Sequence, residues 1–236
     1  MTSTGASREA AVSVIIPVYN GQAMVAEAIG SAIEQGPIVG EIIVVDDGST
    51  DDTVGVVRSF SDVRLIQQSN AGPASARNAA IRASNCEFIA PLDHDDLFTP
   101  DRLDRMVAAL ENDPGAAYAV GQQDLVIEPG SPLPYWLRST DPTDLERFRN
   151  EHATGLMLIR RHAFDTVGFF DETLTGAGED LDWVFRCIEL GLSSVAIDEF
   201  VTVRRMRGDN LTTDEAAMRR AMFEVLQRRA RRRREQ

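Results

Sequence analysis

The sequence predicts an α/β fold, a mostly parallel sheet flanked by helices. Short apolar runs alternate with helical patterns through the first half of the chain, as strands joined by crossover helices do. Those runs are nearly continuous rather than alternating, which suits strands covered on both faces. At 236 residues the chain can bury the core of one domain, and no repeat or hinge linker divides it.

The elements follow in order. Residues 12–17 (VSVIIP) read as a first strand, 41–46 (EIIVVD) as a second, 63–67 as a weaker third and 87–93 (EFIAPLD) as a fourth. Within 22–35, Met24, Ala28, Ile29 and Ile33 fall at helical spacing. Residues 51–60 open with acids that favour a helix N-terminus. Pro73 starts a helix to residue 83, and Pro100 starts another with Leu103, Val107 and Leu110 on one face. The second half is less regular. A strand is expected at 118–127, a Pro-, Ser- and Asp-rich loop at 128–150 and a strand-like stretch at 153–159. A helix over 180–190 ends at Gly191. Two short strands follow at 194–197 and 201–205, and then an amphipathic helix over 214–230.

Composition narrows the function. The net charge is −13, which argues against nucleic acid as a partner. Every one of the 24 basic residues is an arginine. Without lysine there is no Walker-type phosphate loop, no pyridoxal Schiff base and no Schiff-base aldolase. Cys86 and Cys187 lie far apart and read as small buried residues in a reducing, cytoplasmic setting. No run reaches the roughly 18 to 20 apolar residues of a membrane span, and residues 1–11 lack an apolar signal core.

Polar residues gather where the strands end: Pro17 to Asn20, then Asp46 to Asp51, then Asp93, His94, Asp95 and Asp96. Ligands of open α/β sheets bind at such ends. The middle group also suits a plain turn with a helix cap. Three acids in four residues, however, repel one another unless a cation or hydrogen-bond donors neutralise them. An EF-hand loop fails, because Leu97 and Phe98 stand where Asp or Asn and then Gly are needed.

With those pieces in place the chain resembles family 2 of the glycosyltransferases, which have the GT-A fold, a Rossmann-like sheet. The resemblance rests on VSVIIPVYN (12–20), VVDDGSTDDT (44–53), NAGPASARNAAI (70–81), FIAPLDHDDLFTPDRL (88–103) and VGFFDETLTGAGEDLDWVFR (167–186), in that order. It implies one domain over 12–213, with a nucleotide-sugar-binding half (12–115) and a smaller acceptor and catalytic half (116–213). A basic helix or tail occupies 214–236.

The resemblance also implies roles. Asp47 would hydrogen-bond the donor's base, with Pro17 and Tyr19 lining that pocket. Asp93 and Asp95 match the DxD pair, the first near the ribose and the second holding Mn²⁺ or Mg²⁺ against the diphosphate. His94, the middle of that motif, would contribute through its backbone. Asp180, beside Glu179, would be the catalytic base of an inverting transfer from a nucleotide-diphosphate sugar, UDP- or dTDP-linked, with Glu179 positioning the acceptor. An acidic first helical turn is the plain alternative for that pair.

Arg77 offers a phosphate or base contact, or a surface salt bridge. Asn78 reads as structural. Trp183 suits either a sugar platform or the core, and Trp136, in a loop, an acceptor contact. Where many relatives carry a histidine near a Gly-x-Asn/Ser turn, this chain has Arg207 before Gly208, Asp209 and Asn210. Arginine cannot ligate a metal but can grip a diphosphate. His152 and His162 take no role.

From Asp214 onward eight arginines face four acids, a surplus of +4 (8 − 4). The segment could rest on an anionic membrane at its inner face, pair with the acidic body of a second copy as a homodimer, or stay solvated. The acceptor could be a glycan, a lipid-linked sugar, a peptide or a natural product. Two rival functions are a sugar nucleotidyltransferase, which lacks its basic glycine-rich loop here, and a silent nucleotide-sugar scaffold, against which the complete acid set counts.

Overall fold

The computed structural model describes residues 10–131, 153–174, 178–207 and 215–235. Eight strands form one mixed sheet. They are β1 (Val12–Val18), β2 (Val39–Asp46), β3 (Val63–Gln67), β4 (Phe88–Pro91), β5 (Leu97–Phe98), β6 (Ala116–Ile127), β7 (Met157–Arg160) and β8 (Ser193–Met206). The order across the sheet is β3-β2-β1-β4-β7-β6-β8-β5. The β3-β2-β1-β4 half is parallel throughout. Beyond it β7 runs antiparallel to both neighbours, β6 and β8 pair in parallel, and β5 lies antiparallel on β8. The expected mostly parallel sheet holds, parallel throughout its first half and mixed beyond β4.

The helices are α1 (Val25–Ile33), α2 (Thr53–Arg58), α3 (Pro73–Ala83), α4 (Arg102–Asn112), α5 (Ala163–Val167), α6 (Glu179–Glu189) and α7 (Glu215–Glu235). Every residue of β1 is buried. This fits its unbroken apolar run, since a strand covered on both faces has no polar side to show. The core joins β1, β2 and β4 to the inner faces of α1, α3 and α4.

Several expectations change. The strands at 194–197 and 201–205 are one strand, β8. Asp198 and Glu199 break the apolar pattern, but the pairing with β6 continues past them through register shifts around Gln122. Residues 154–156 form a 3₁₀ turn and the strand starts only at Met157. Arg102 explains the irregular turn, because its buried guanidinium donates to the carbonyls of Gly155 at 2.9 Å and Met157 at 3.0 Å. One strand and one α-helix were not anticipated: β5, of two residues, and α5, of five. Neither is long enough to display a period.

Trp183 belongs to the core. It is fully buried, packs against Tyr118, Phe164 and Phe170, and donates its Nε1–H to the Gly168 carbonyl at 3.0 Å. Asn78 is structural as expected, exchanging two hydrogen bonds with the Phe170 backbone. No helix among the described residues is long and apolar enough to cross a membrane.

Candidate functional site

A cleft of about 600 Å³ opens beyond the carboxyl ends of β1, β2 and β4, within the usual size range for a small-molecule site. Pro17, Tyr19, Asp47, Arg77, Asp93, His94, Asp95, Glu179, Asp180 and Arg207 all line it. These ten residues thus meet in one place, although they come from six separate stretches of chain.

The loops after β1 and β2 are laced together. Asn20 receives the Thr50 N–H at 2.8 Å and gives its own N–H to Ser49 Oγ at 2.9 Å. Gln22 and Asp52 bond through Gln22 Oε1, and Gly21 N–H donates to Thr53 Oγ1. Asp51 accepts from the Gln22 and Thr53 backbones, so it closes a turn and does not face the cleft. Asp47 is buried and accepts from Gln68 Nε2 at 2.8 Å, Ala71 N–H at 2.9 Å and Gly72 N–H at 2.8 Å. The carboxylate therefore shapes the entrance to α3, leaving capacity for roughly one further donor. Tyr19 is 45% exposed beside it. The His94 ring packs where a side chain on Gly21 would project, 2.6 Å from the site of a Cβ.

Arg77 is neither a surface arginine nor an open phosphate hook. It is buried in α3, with Nη2 2.7 Å from Asp93 Oδ1 and Nη1 2.5 Å from Glu179 Oε1. Burial alone would weaken its proton affinity, but the charges of Asp93 and Glu179 more than offset this and raise it. Asp93 is affected in turn. Burial opposes its ionised form, yet Arg77, Arg204 and His94 hold it below the usual carboxylate range.

The other arm of the acid loop meets the end of β8. Arg207 Nη2 lies 3.0 Å from Asp95 Oδ2. Arg205 donates its backbone N–H to Asp96 Oδ1 and its Nε–H to the Asp95 carbonyl. Asp96 is buried and pushed well up, first by burial and then by Asp93 and Asp95. Beneath them Arg102 stacks on Phe98 at 4.0 Å, and burial pushes it down to about 9. Arg204, Gln123, Thr154 and Thr202 also line the cleft, and the sequence did not single them out as site residues. They arrive on β6, β8 and the 3₁₀ turn, whose proximity is a matter of sheet order; only the arginine-rich end of β8 carried a signal.

Glu179 and Asp180 open α6, which starts at Gly178 with φ +93°, a conformation that a side chain would strain. Glu179 turns inward to Arg77. Asp180 is half-buried on the cleft wall and accepts the Leu181 N–H at 2.7 Å. Over this turn lies α7. Its Val225 is buried, with Cγ2 3.0 Å from where a Cβ on Gly178 would sit, and its Met218 lines the cleft. Arg232 bridges Asp182 at 2.8 Å and Glu189 at 2.9 Å, and Arg228 pairs with Asp171. Arg228 and Arg232 thus neutralise acids of their own body and fasten the inner face of α7 to it.

The model of the family described as glycosyl transferase family 2 matches residues 13–169. The chain belongs to that family. Among relatives of this family 2 glycosyltransferase, an uncharacterized glycosyltransferase of Rickettsia typhi is 32% identical over 224 residues, 91% of this chain and 70% of the relative. The succinoglycan biosynthesis protein ExoO of Rhizobium meliloti is 37% identical over 186 residues, 72% of this chain and 53% of that protein. The crystal structure of S. aureus TarS 1–349 in complex with UDP-GlcNAc superposes with a TM-score of 0.68 at 21% identity, covering 91% of this chain and 66% of that one. The shared architecture is the GT-A fold. The chain spans about half to 70% of the length of these proteins.

A divalent cation suits this family 2 site in donor chemistry, since Asp93 and Asp95 bring the carboxylate oxygens that hard cations prefer. The protein does not form a cage, however: among the described residues no group of three or more His, Cys, Asp or Glu could hold a metal. Both acids also carry an arginine. Trp136, His152 and the Gly208, Asp209, Asn210 turn lie outside the described residues.

Proposed function

We propose that the chain is an inverting glycosyltransferase that moves a sugar from a nucleotide-diphosphate donor, UDP- or dTDP-linked, onto an acceptor hydroxyl. The observation that carries this reading is the division of labour between two adjacent carboxylates. Glu179 is tied to Arg77, while Asp180 stands on the wall of the same cleft as Asp93 and Asp95.

In this reading Tyr19 and Pro17 flank the base and Asp47 accepts its donor group. TarS, which has the same fold, has been crystallised with UDP-GlcNAc, and that favours uridine among the two bases. The diphosphate lies toward Asp93, Asp95 and Arg207, and Asp95 with Asp93 would hold Mn²⁺ or Mg²⁺. Such a cation, when bound, offsets the charge that grows on the leaving diphosphate. Arg207 would release or share Asp95 and grip a phosphate as a planar fork. Asp180 takes the proton of the acceptor hydroxyl as its oxygen attacks the anomeric carbon. The bond from that carbon to the diphosphate oxygen breaks on the opposite face, so one displacement inverts the centre, with no second carboxylate needed.

The testing experiment is a thermal-shift screen of UDP-, dTDP-, GDP- and CMP-linked sugars with and without Mn²⁺. A ligand bound only by the folded state raises the midpoint by mass action. A rise with a UDP- or dTDP-sugar that disappears in Asp95→Ala supports the reading. No rise with any donor overturns it, and a rise without turnover favours the silent nucleotide-sugar scaffold.

A further inference from the structure

The transferase site uses only the inner face of α7. Val225, Arg228 and Arg232 point at the body, where the two arginines meet acids. The outer face has a different composition. Phe223 is 63% exposed, Met222 46% and Leu226 45%, and their i, i+3 and i+4 spacing places them on one stripe. Arg220, Arg231, Arg233 and Arg234 are exposed on the same helix. Between Val225 and Arg234 there is no acid, and Glu224 is matched by Arg228.

We propose that this outer face of α7 docks on an anionic lipid surface. Phe223, Met222 and Leu226 would enter the headgroup region while the arginines meet lipid phosphates. An apolar stripe or a short basic run alone binds membranes weakly, and stable contact takes both signals. Here both lie on one helix. Arginine stems can lie along the apolar layer with their heads in the headgroups. A lipid surface meets both features of this face at once, its phosphates the arginines and its apolar layer Phe223. The net charge of −13 does not prevent docking, because charges beyond about 10 Å are largely screened at physiological salt. Met218 lines the cleft from the inner face of the same helix, so docking would hold the cleft close to the lipid. The proposal rests on α7 itself and stands whatever the donor.

The experiment is co-sedimentation of the full chain with vesicles of equal parts phosphatidylglycerol and phosphatidylcholine, and with phosphatidylcholine alone. Most of the protein should pellet with the anionic vesicles, little with the neutral ones, and high salt should release it. Phe223→Asp with Leu226→Asp should lower the bound fraction at least tenfold, as should Arg231, Arg233 and Arg234 changed together to Gln. These side chains are exposed, so an unchanged melting midpoint will show that the variants fold. No pelleting with anionic vesicles overturns the proposal, as does full binding by either variant. A dimer in light scattering that Phe223→Asp abolishes would likewise overturn it and assign the face to a second copy.

Discussion

Nη1 of Arg77 lies 2.5 Å from Oε1 of Glu179, a contact spanning 102 positions of sequence. It fastens α3, whose entrance carries the donor-side loop, to the first turn of α6. Since the same guanidinium also holds Asp93, one buried cation sets the spacing between the acid loop and the turn that carries Asp180.

Arg77→Met should destabilise the fold by about 3–5 kcal/mol, because it strands the buried Glu179 carboxylate and takes from Asp93 its hydrogen-bonded cation. Adding Glu179→Gln should recover part of that loss, since the two side chains share one interaction. Urea titration of both single variants and the double variant checks this, and strict additivity would contradict it.

Asp180→Asn should cut turnover by roughly 100- to 10,000-fold with donor affinity nearly unchanged. Glu179→Gln should act mainly on stability, as its carboxylate serves Arg77. Steady-state kinetics beside melting curves separate the two residues. If Glu179→Gln proves the more damaging to kcat in a fully folded protein, the roles assigned here are reversed.

Arg207→Ala should weaken donor binding about tenfold or more, the scale of a charge-assisted hydrogen bond worth about 1.5–3 kcal/mol. It should also let Mn²⁺ act at lower concentration, because Asp95 loses its resident guanidinium. Titration calorimetry with UDP-sugar and with metal measures both. Unchanged donor affinity would remove Arg207 from the diphosphate site.

Both cysteines should be nearly inert in the native state. Burial pushes Cys187 up to about 12 and also raises Cys86, where Glu41 adds to the effect. At pH 8 a thiol reagent should therefore modify the native protein slowly and both thiols rapidly once it is unfolded, since the thiolate is the reacting form. A fast first equivalent on the folded chain would contradict this.

Acid should weaken the fold in part through Glu41. Burial opposes its charge, but hydrogen bonds from Ser13 Oγ and the Asn85 N–H, each at 2.6 Å, lower its pKa below that of an ordinary glutamate. That contribution is complete above the unfolded value and vanishes as pH falls through the lower folded one. Glu41→Gln should thus be less stable than wild type at pH 7, and the gap should close as the solution is acidified below 4.5. A gap that persists under strong acid would assign the loss to packing.

The parts of this molecule that were legible in its sequence are those governed by local physics. The apolar runs of β1 and β2 announce strands covered on both sides, and Pro73 marks the start of α3 to the residue. The acids at the strand ends point to the cleft for the same reason. Contacts between distant residues were not legible. Nothing near Arg77 shows that it meets Glu179, nor does anything near Arg232 show that it meets Asp182. A run of arginines reads as solvated until the fold supplies acids beside it. In β8 the polar Asp198 and Glu199 hid one long strand, since backbone pairing can continue across a pattern that side chains interrupt.

The pairing of Arg207 with Asp95 bears on selectivity. With Arg77 and Arg207 already claimed by carboxylates, the resting cleft is no general trap for anions. Free phosphate or sulfate would have to displace an acid from its arginine and would bring little in return. A whole nucleotide-sugar can draw on contacts along the entire cleft to drive that exchange. On the proposed reading, discrimination would come from the strength of the partnerships a ligand must break, and small anions would gain little from the cleft.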